Sequence, residues 1–270
     1  MDGRAFARRS ASNGNPTYNA LARRRVKPGH DERRMTSFIH TEADLAAGIA
    51  ALVAQDPRLV PVLERAGMPA LRRRDAGFEG LCRIVCGQQL STASAAAIWG
   101  RVAAAFDPFH HDALRRSRAE RLARLGLSRP KIKTLKAIGT AVARGQIDLD
   151  AIGRMEADKA HATLTALHGI GPWTADIYLL FCLGNADAWP AGDLAIQEAA
   201  RIAFNLRTRP DAKKLTQLAE PWRPWRGVAA HLFWAYYHAV KRREGAPVTP
   251  PTIVVTTTPV KKKKAKANGR

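Results

Sequence analysis

Leu167-His168-Gly169-Ile170-Gly171-Pro172-Trp173-Thr174-Ala175 carries more structural information than any other stretch of the chain. A helical run ends at Leu167, and Gly169 is free to take a positive φ. Ile170 is apolar enough to plug a core between two turn glycines. Gly171 admits a close backbone approach, and Pro172 suits the first turn of a new helix. The stretch therefore reads as a tight helix–hairpin–helix. The first N–H groups of its second helix have no intrahelical acceptor, which makes them a natural phosphate site. Gly-x-Gly alone is an ordinary turn; the apolar residue between the glycines, the Pro-Trp after them and a basic setting lift this one above that.

From Thr41 onward the pattern is helical almost everywhere. Thr41 and Asp44 form a capping box ahead of Leu45, Ile49, Leu52 and Val53, and Asp56-Pro57 restarts a helix. Further apolar-periodic segments cover 77–89, 92–106, 112–125, 130–143, 156–167, 173–184, 194–206, 211–219 and 226–243. No convincing strand lies between Thr41 and Arg243. The expected fold is all-α, a helical domain over 41–245 with short connections and two lobes facing a cleft.

The 270 residues carry 44 Lys+Arg against 23 Asp+Glu, a formal charge of +21. Residues 1–34 hold nine basic and three acidic residues, and 259–270 hold six basic and none acidic. Segments 1–40 and 246–270 have no helical or alternating period and are expected to be disordered basic arms. The middle of the chain keeps a surplus of basic residues, so the charge points to a polyanionic partner. No stretch approaches the roughly 18 uncharged apolar residues of a membrane span. Cys82, Cys86 and Cys182 are an odd set with no signal-peptide run ahead of them, which favours a reducing, cytoplasmic setting. Cys82 and Cys86 read as buried thiols.

Five ordered stretches resemble the helix–hairpin–helix DNA glycosylase superfamily, in particular its bacterial 3-methyladenine DNA glycosylase II type. They are Gly87-Gln88-Gln89-Leu90-Ser91, Leu125 to Lys131, the Leu167–Ala175 hairpin, Pro190-Ala191-Gly192-Asp193-Leu194, and Pro221-Trp222-Arg223-Pro224-Trp225-Arg226. The resemblance spans about residues 42–240. Two departures narrow it. Bifunctional members carry a lysine two residues after the second hairpin glycine, where this chain has Trp173, so no amine is offered for a Schiff base. No cysteine follows Cys182, so the four-cysteine cluster of the endonuclease III-like members is not expected. Residues 1–41 are too short and polar for the sheet-rich first domain of the larger members, which implies the short form.

What the resemblance implies is a monofunctional DNA N-glycosylase in base excision repair. It would remove alkylated purines such as 3-methyladenine and 7-methylguanine and leave an abasic site for downstream repair enzymes. Asp193 aligns with the catalytic carboxylate, which stabilises positive charge on the sugar and orients a water; on its own it also reads as an ordinary N-cap. Asp176 and Asp187 read as surface residues. Trp173, Trp225 and Tyr178 are the expected base-pocket side chains, suited to a cationic base; Trp189 and Trp222 are weaker candidates, and Trp234 reads as core. The wedge filling the gap left by a flipped base is expected at Gln88, Gln89 and Leu90, although the glutamines also read as local turn residues. Phosphates are expected at Gly169, Ile170, Gly171 and Trp173, with a second contact at Ser128, Arg129 and Lys131. His168 reads equally as a DNA-facing or a solvated turn residue. Hairpins of this superfamily commonly present carbonyls to a monovalent cation; no catalytic metal or cofactor is expected, and the enzyme is expected to be a monomer on double-stranded DNA. The alternatives are a noncatalytic helix–hairpin–helix DNA-binding protein and a glycosylase for deaminated or oxidised bases.

Overall fold

The computed structural model describes residues 38–244. The arms expected at 1–40 and 246–270 lie, apart from 38–40, outside the described residues. Helix α1, Glu42–Gln55, starts as the sequence dictates: Thr41 Oγ1 accepts from Asp44 N–H at 3.1 Å, and Asp44 accepts from Thr41 N–H at 2.9 Å. Asp56 caps the turn Pro57–Leu59, which runs into α2, Val60–Ala66. Then come α3, Gly77–Gly87, and α4, Thr92–Ala105.

The single helix expected over 112–125 is two, α5 at His111–Arg116 and α6 at Ala119–Arg124, because Ser117 and Arg118 take extended backbone angles. Next are α7, Arg129–Ala143, and a short α8, Leu149–Ile152, capped by Asp148. Four residues are too few to register as a helical period, which is why the sequence did not reveal α8. The hairpin joins α9, Ala157–Thr165, to α10, Pro172–Ile177. From Tyr178 to Leu183 the winding widens to a π-helix, closed by Gly184 in the left-handed region. The chain ends its described part with α11, Leu194–Ala203, α12, Ala212–Ala219, and α13, Arg226–Glu244.

These helices form two packed groups. α13 lies against α1, α2 and α11, with α12 beside α11. In the second group α3 packs on α4, α7 and the π-turn, α5 and α6 pack on α7, and α9 and α10 pack together. The π-turn links the groups: Phe181 stacks on Trp234 of α13 with ring centroids 5.3 Å apart. The all-α, two-lobed expectation therefore holds. Among the described residues the sole β-type pairing is an isolated bridge between Phe38 and Asn185, and no single helix is long and apolar enough to cross a membrane.

Inside the terminal group, Trp222 is fully buried and donates its indole N–H to Asp56 Oδ2 at 2.8 Å. Asp56 also accepts from Arg58 Nε at 2.8 Å and Nη2 at 2.7 Å. The Arg58 bonds, with Trp222 after them, hold its carboxyl down at about 2. Because the folded value is depressed, the stabilisation is present above the ordinary carboxylate range and lost as pH falls toward 2. Replacing Asp56 by Ala strands a buried indole N–H and should cost about 1–3 kcal/mol at pH 7. In urea melts the deficit against wild type should shrink between pH 4 and pH 2; a deficit unchanged over that range would refute the ionic account.

Candidate active site

Asp193 stands at the head of α11 and caps it. Its Oδ1 accepts from the backbone N–H groups of Ala195 at 3.0 Å and Ile196 at 3.1 Å. The same oxygen accepts from Trp234 Nε1 at 3.1 Å, and Oδ2 accepts from Trp173 Nε1 at 3.0 Å. Four N–H donors thus converge on one carboxylate. Trp173 opens α10 and Trp234 lies in α13, so the carboxylate is held by both helix groups at once. Oδ2 takes only one of these bonds, and the side chain is half-buried, leaving acceptor capacity for a substrate or water.

The core assignment of Trp234 is half the story. Its ring packs on Phe181, but its N–H reaches Asp193. A buried tryptophan N–H needs an acceptor, and that requirement was the available signal. Trp225 does not share in this arrangement. It precedes α13, is half-buried, donates its backbone N–H to Trp222 O at 2.7 Å and rests on Gly48 of α1, and among the described residues no hydrogen bond joins it to Asp193. Tyr178 is corrected more firmly: it is 0% exposed, in the core, and its hydroxyl accepts from Gly77 N–H at 3.0 Å. A side chain without exposed surface presents no face to a base. Trp173 remains half-exposed.

The hairpin's two glycines differ in their reasons. Gly169 has φ +81°, and a Cβ there would collide with the Thr134 side chain of α7. Gly171 has φ −85° and open space where a Cβ would point, so no protein backbone approaches it; it is exposed. Ile170 is buried as expected. Among the described residues the N–H groups of Gly169, Gly171, Trp173 and Thr174 donate to no backbone carbonyl. The carbonyls of His168, Gly169 and Ile170 likewise receive no backbone N–H, a donor set that fits a monovalent cation.

Beside the hairpin, Gln88 Nε2 donates to Thr174 Oγ1 of α10 at 2.8 Å. Gln88 is thereby a strut between loop and hairpin. Gln89, at the loop tip, is exposed in the left-handed region at φ +56°, and Leu90 is also exposed. An L-residue held at positive φ carries backbone strain, which fixes where the tip projects. Lys131 Nζ donates to Cys86 O at 2.8 Å, tying α7 to the last turn of α3. Ser128 and Arg129 are exposed at the start of α7, and His168 is exposed at the hairpin.

A cavity of about 520 Å³ opens beside Trp173. Asp158, His161, Asp176, Asp187, Trp189, Gly192, Lys213 and Arg226 are among its walls. Asp176 and Asp187, expected at the surface, are both buried. Asp187 Oδ2 accepts from Arg223 Nη1 and from Arg226 Nη2, each at 2.7 Å, and Asp158 pairs with the same two arginines. This clamp joins the loop leading to Asp193, the start of α13 and the start of α9. All three cysteines are buried free thiols, and burial pushes Cys86 and Cys182 up to about 12. His110, His111 and Asp112 bring ligand atoms within 4.8 Å of one another at the start of α5, but none of them lines the cavity or touches Asp193.

Residues 82–224 match the model of the HhH-GPD superfamily base excision DNA repair protein. The chain belongs to this superfamily. It is 33% identical over 220 residues to the probable bifunctional transcriptional activator/DNA repair enzyme AlkA of Mycobacterium tuberculosis, covering 77% of this chain and 43% of that protein. A DNA-3-methyladenine glycosylase of Bacillus subtilis is 27% identical over 58% of this chain and 56% of its own. The chain thus spans about half the length of these curated relatives. The solved DNA-3-methyladenine glycosidase of Bacillus halodurans superposes with a TM-score of 0.65 at 31% identity, over 72% of this chain and 91% of that one. A 3-methyladenine DNA glycosylase of Schizosaccharomyces pombe, in complex with abasic DNA, gives 0.63 at 27% identity, over 69% and 94%. The HhH-GPD match covers the loop, hairpin and Asp193; Trp234, the second indole donor, lies beyond it.

The hairpin of this HhH-GPD chain permits a direct comparison of its glycines. Gly169→Ala forces a positive φ and a clash with Thr134, and should destabilise by about 1–3 kcal/mol or more. Gly171→Ala meets nothing and should stay within about 0.5 kcal/mol of wild type. Thermal melts giving equal losses for the two would contradict this division.

Proposed function

We propose that this protein is a monofunctional DNA glycosylase that hydrolyses the N-glycosidic bond of alkylated purines, 3-methyladenine and 7-methylguanine among them. The observation that carries the reading is the Asp193 carboxylate, locked by four N–H donors beside an exposed helix–hairpin–helix. Hydrolysis builds positive charge on deoxyribose as the base departs. A fixed carboxylate stabilises that charge without having to reorganise, and its open lone pair orients the attacking water. Methylation at purine N3 or N7 has already made the base a cation and a good leaving group, so little acid assistance is needed. Trp173, with an aromatic face beside Asp193, favours such a base.

Access requires extruding the nucleotide from the stack. Gln89 and Leu90, projected by the strained loop tip, fill the gap, while Gln88 sets the distance between loop and hairpin. Gly171 is the residue the fold itself does not need; its bare backbone leaves the N–H groups of Gly169, Gly171 and Trp173 open to a phosphate. The carbonyls of His168, Gly169 and Ile170 would hold a monovalent cation that screens that phosphate. Ser128 and Arg129 give a second backbone contact, and the partner is double-stranded DNA bearing alkylated bases. Trp173 stands where strand-cutting relatives would need an amine, which supports hydrolysis without lyase chemistry.

The test is incubation with a duplex panel carrying single 3-methyladenine, 7-methylguanine, uracil or 8-oxoguanine sites. The expected result is release of the free methylated bases, with the strand intact until the abasic site is cleaved by alkali. Release confined to uracil or 8-oxoguanine would overturn the substrate, and nicking without alkali would overturn the monofunctional assignment.

A further inference from the structure

The cavity beside Trp173 has a chemistry that the glycosylase reading leaves unused. Its volume, about 520 Å³, lies within the range of small-molecule sites. Trp173, Trp189, Leu179 and the alanines at 157, 188 and 191 make most of its wall apolar. The charged residues around it are largely neutralised. Asp187 and Asp158 are paired with Arg223 and Arg226, so only Lys213, exposed at the α12 side, adds an unmatched charge.

Asp176 is different. It is buried and lines the cavity, and among the described residues its one polar contact is His161 Nε2 at 3.5 Å, too long for a good hydrogen bond. Burial, opposed by Arg226 and reinforced by Asp158, pushes its carboxyl up to about 8. Burial likewise pushes the facing His161 imidazole down. At neutral pH the cavity therefore presents an uncharged acid, with an O–H donor and a C=O acceptor side by side. That pair matches a ring nitrogen next to an exocyclic amino group, the edge of an adenine-type base.

We propose that this cavity binds an uncharged purine, the free base released by hydrolysis at Asp193. The inference rests on the glycosylase reading for the origin of its ligand. An alkylated purine is a cation while attached to the sugar and becomes neutral on leaving. A chamber with aromatic walls, a neutral acid and no unpaired carboxylate suits the product and not the substrate. Trp173 and Gly192 border the chamber, and Asp193 is their bonded partner and chain neighbour, so the base has a short way to travel.

Calorimetric titration of the full chain with free 3-methyladenine and with adenine tests this. Affinity should fall about tenfold between pH 7 and pH 9, following the protonated fraction of an acid near 8. Asp176→Asn keeps a donor beside an acceptor and should bind as wild type at pH 7 but without the loss at pH 9. Asp176→Leu should weaken binding at least tenfold, and Thr216→Trp, at an exposed rim position on α12, should block it. No binding at millimolar base, or equal binding by wild type, Asp176→Leu and Thr216→Trp, would overturn the proposal. Base release from methylated duplex by the same wild-type preparation separates the two readings. Release without purine binding overturns the cavity assignment alone, whereas purine binding without release overturns the glycosylase reading and with it the product as ligand.

Discussion

Four hydrogen bonds hold the Asp193 carboxylate, and they tie the two helix groups to one another. Two come from the α11 backbone and would be made by any capping aspartate. The other two come from indoles far apart in sequence, Trp173 and Trp234. For both to reach one carboxylate, the hairpin helix and the last helix must stop at fixed positions relative to α11. The Phe181–Trp234 stack and the Asp187–Arg226 clamp supply that placement from either side. A rigid acceptor then faces the space beside an exposed hairpin whose N–H groups are free.

Charge plays a different part from geometry. The basic surplus of the chain attracts a polyanion, but the arginines nearest the site, Arg223 and Arg226, are turned inward onto Asp158 and Asp187. Their work is structural: they let the Asp187 carboxylate be buried in the loop that leads to Asp193, while Asp158 pairs with them from the surface. The proposed phosphate contacts fall instead to backbone groups at the hairpin, where glycine leaves them bare.

The sequence made the hairpin legible because glycine, proline and an apolar plug encode it locally. Asp193 was legible as a cap for the same reason, and its position after the hairpin marked it further. Tyr178 was not, because which side of this segment faces the core is set by the elements packed on it, and no local pattern reports them. The Trp234 bond to Asp193 was not legible either, because it depends on where α13 packs, which no local pattern reports. Asp176 and Asp187 looked like surface residues because a lone acid usually is one; only the tertiary fold supplies the arginines that bury Asp187 and the cavity that receives Asp176.

Asp193 is proposed to act in the chemical step as well as to cap α11. Asp193→Asn preserves an acceptor for Ala195 and Ile196 N–H while removing the charge. Single-turnover release of 3-methyladenine from a methylated duplex, measured beside duplex affinity, decides the matter. The expected rate is about 10²–10⁴-fold below wild type with DNA affinity nearly unchanged; a rate within a few-fold of wild type would mean that Asp193 is a helix cap alone.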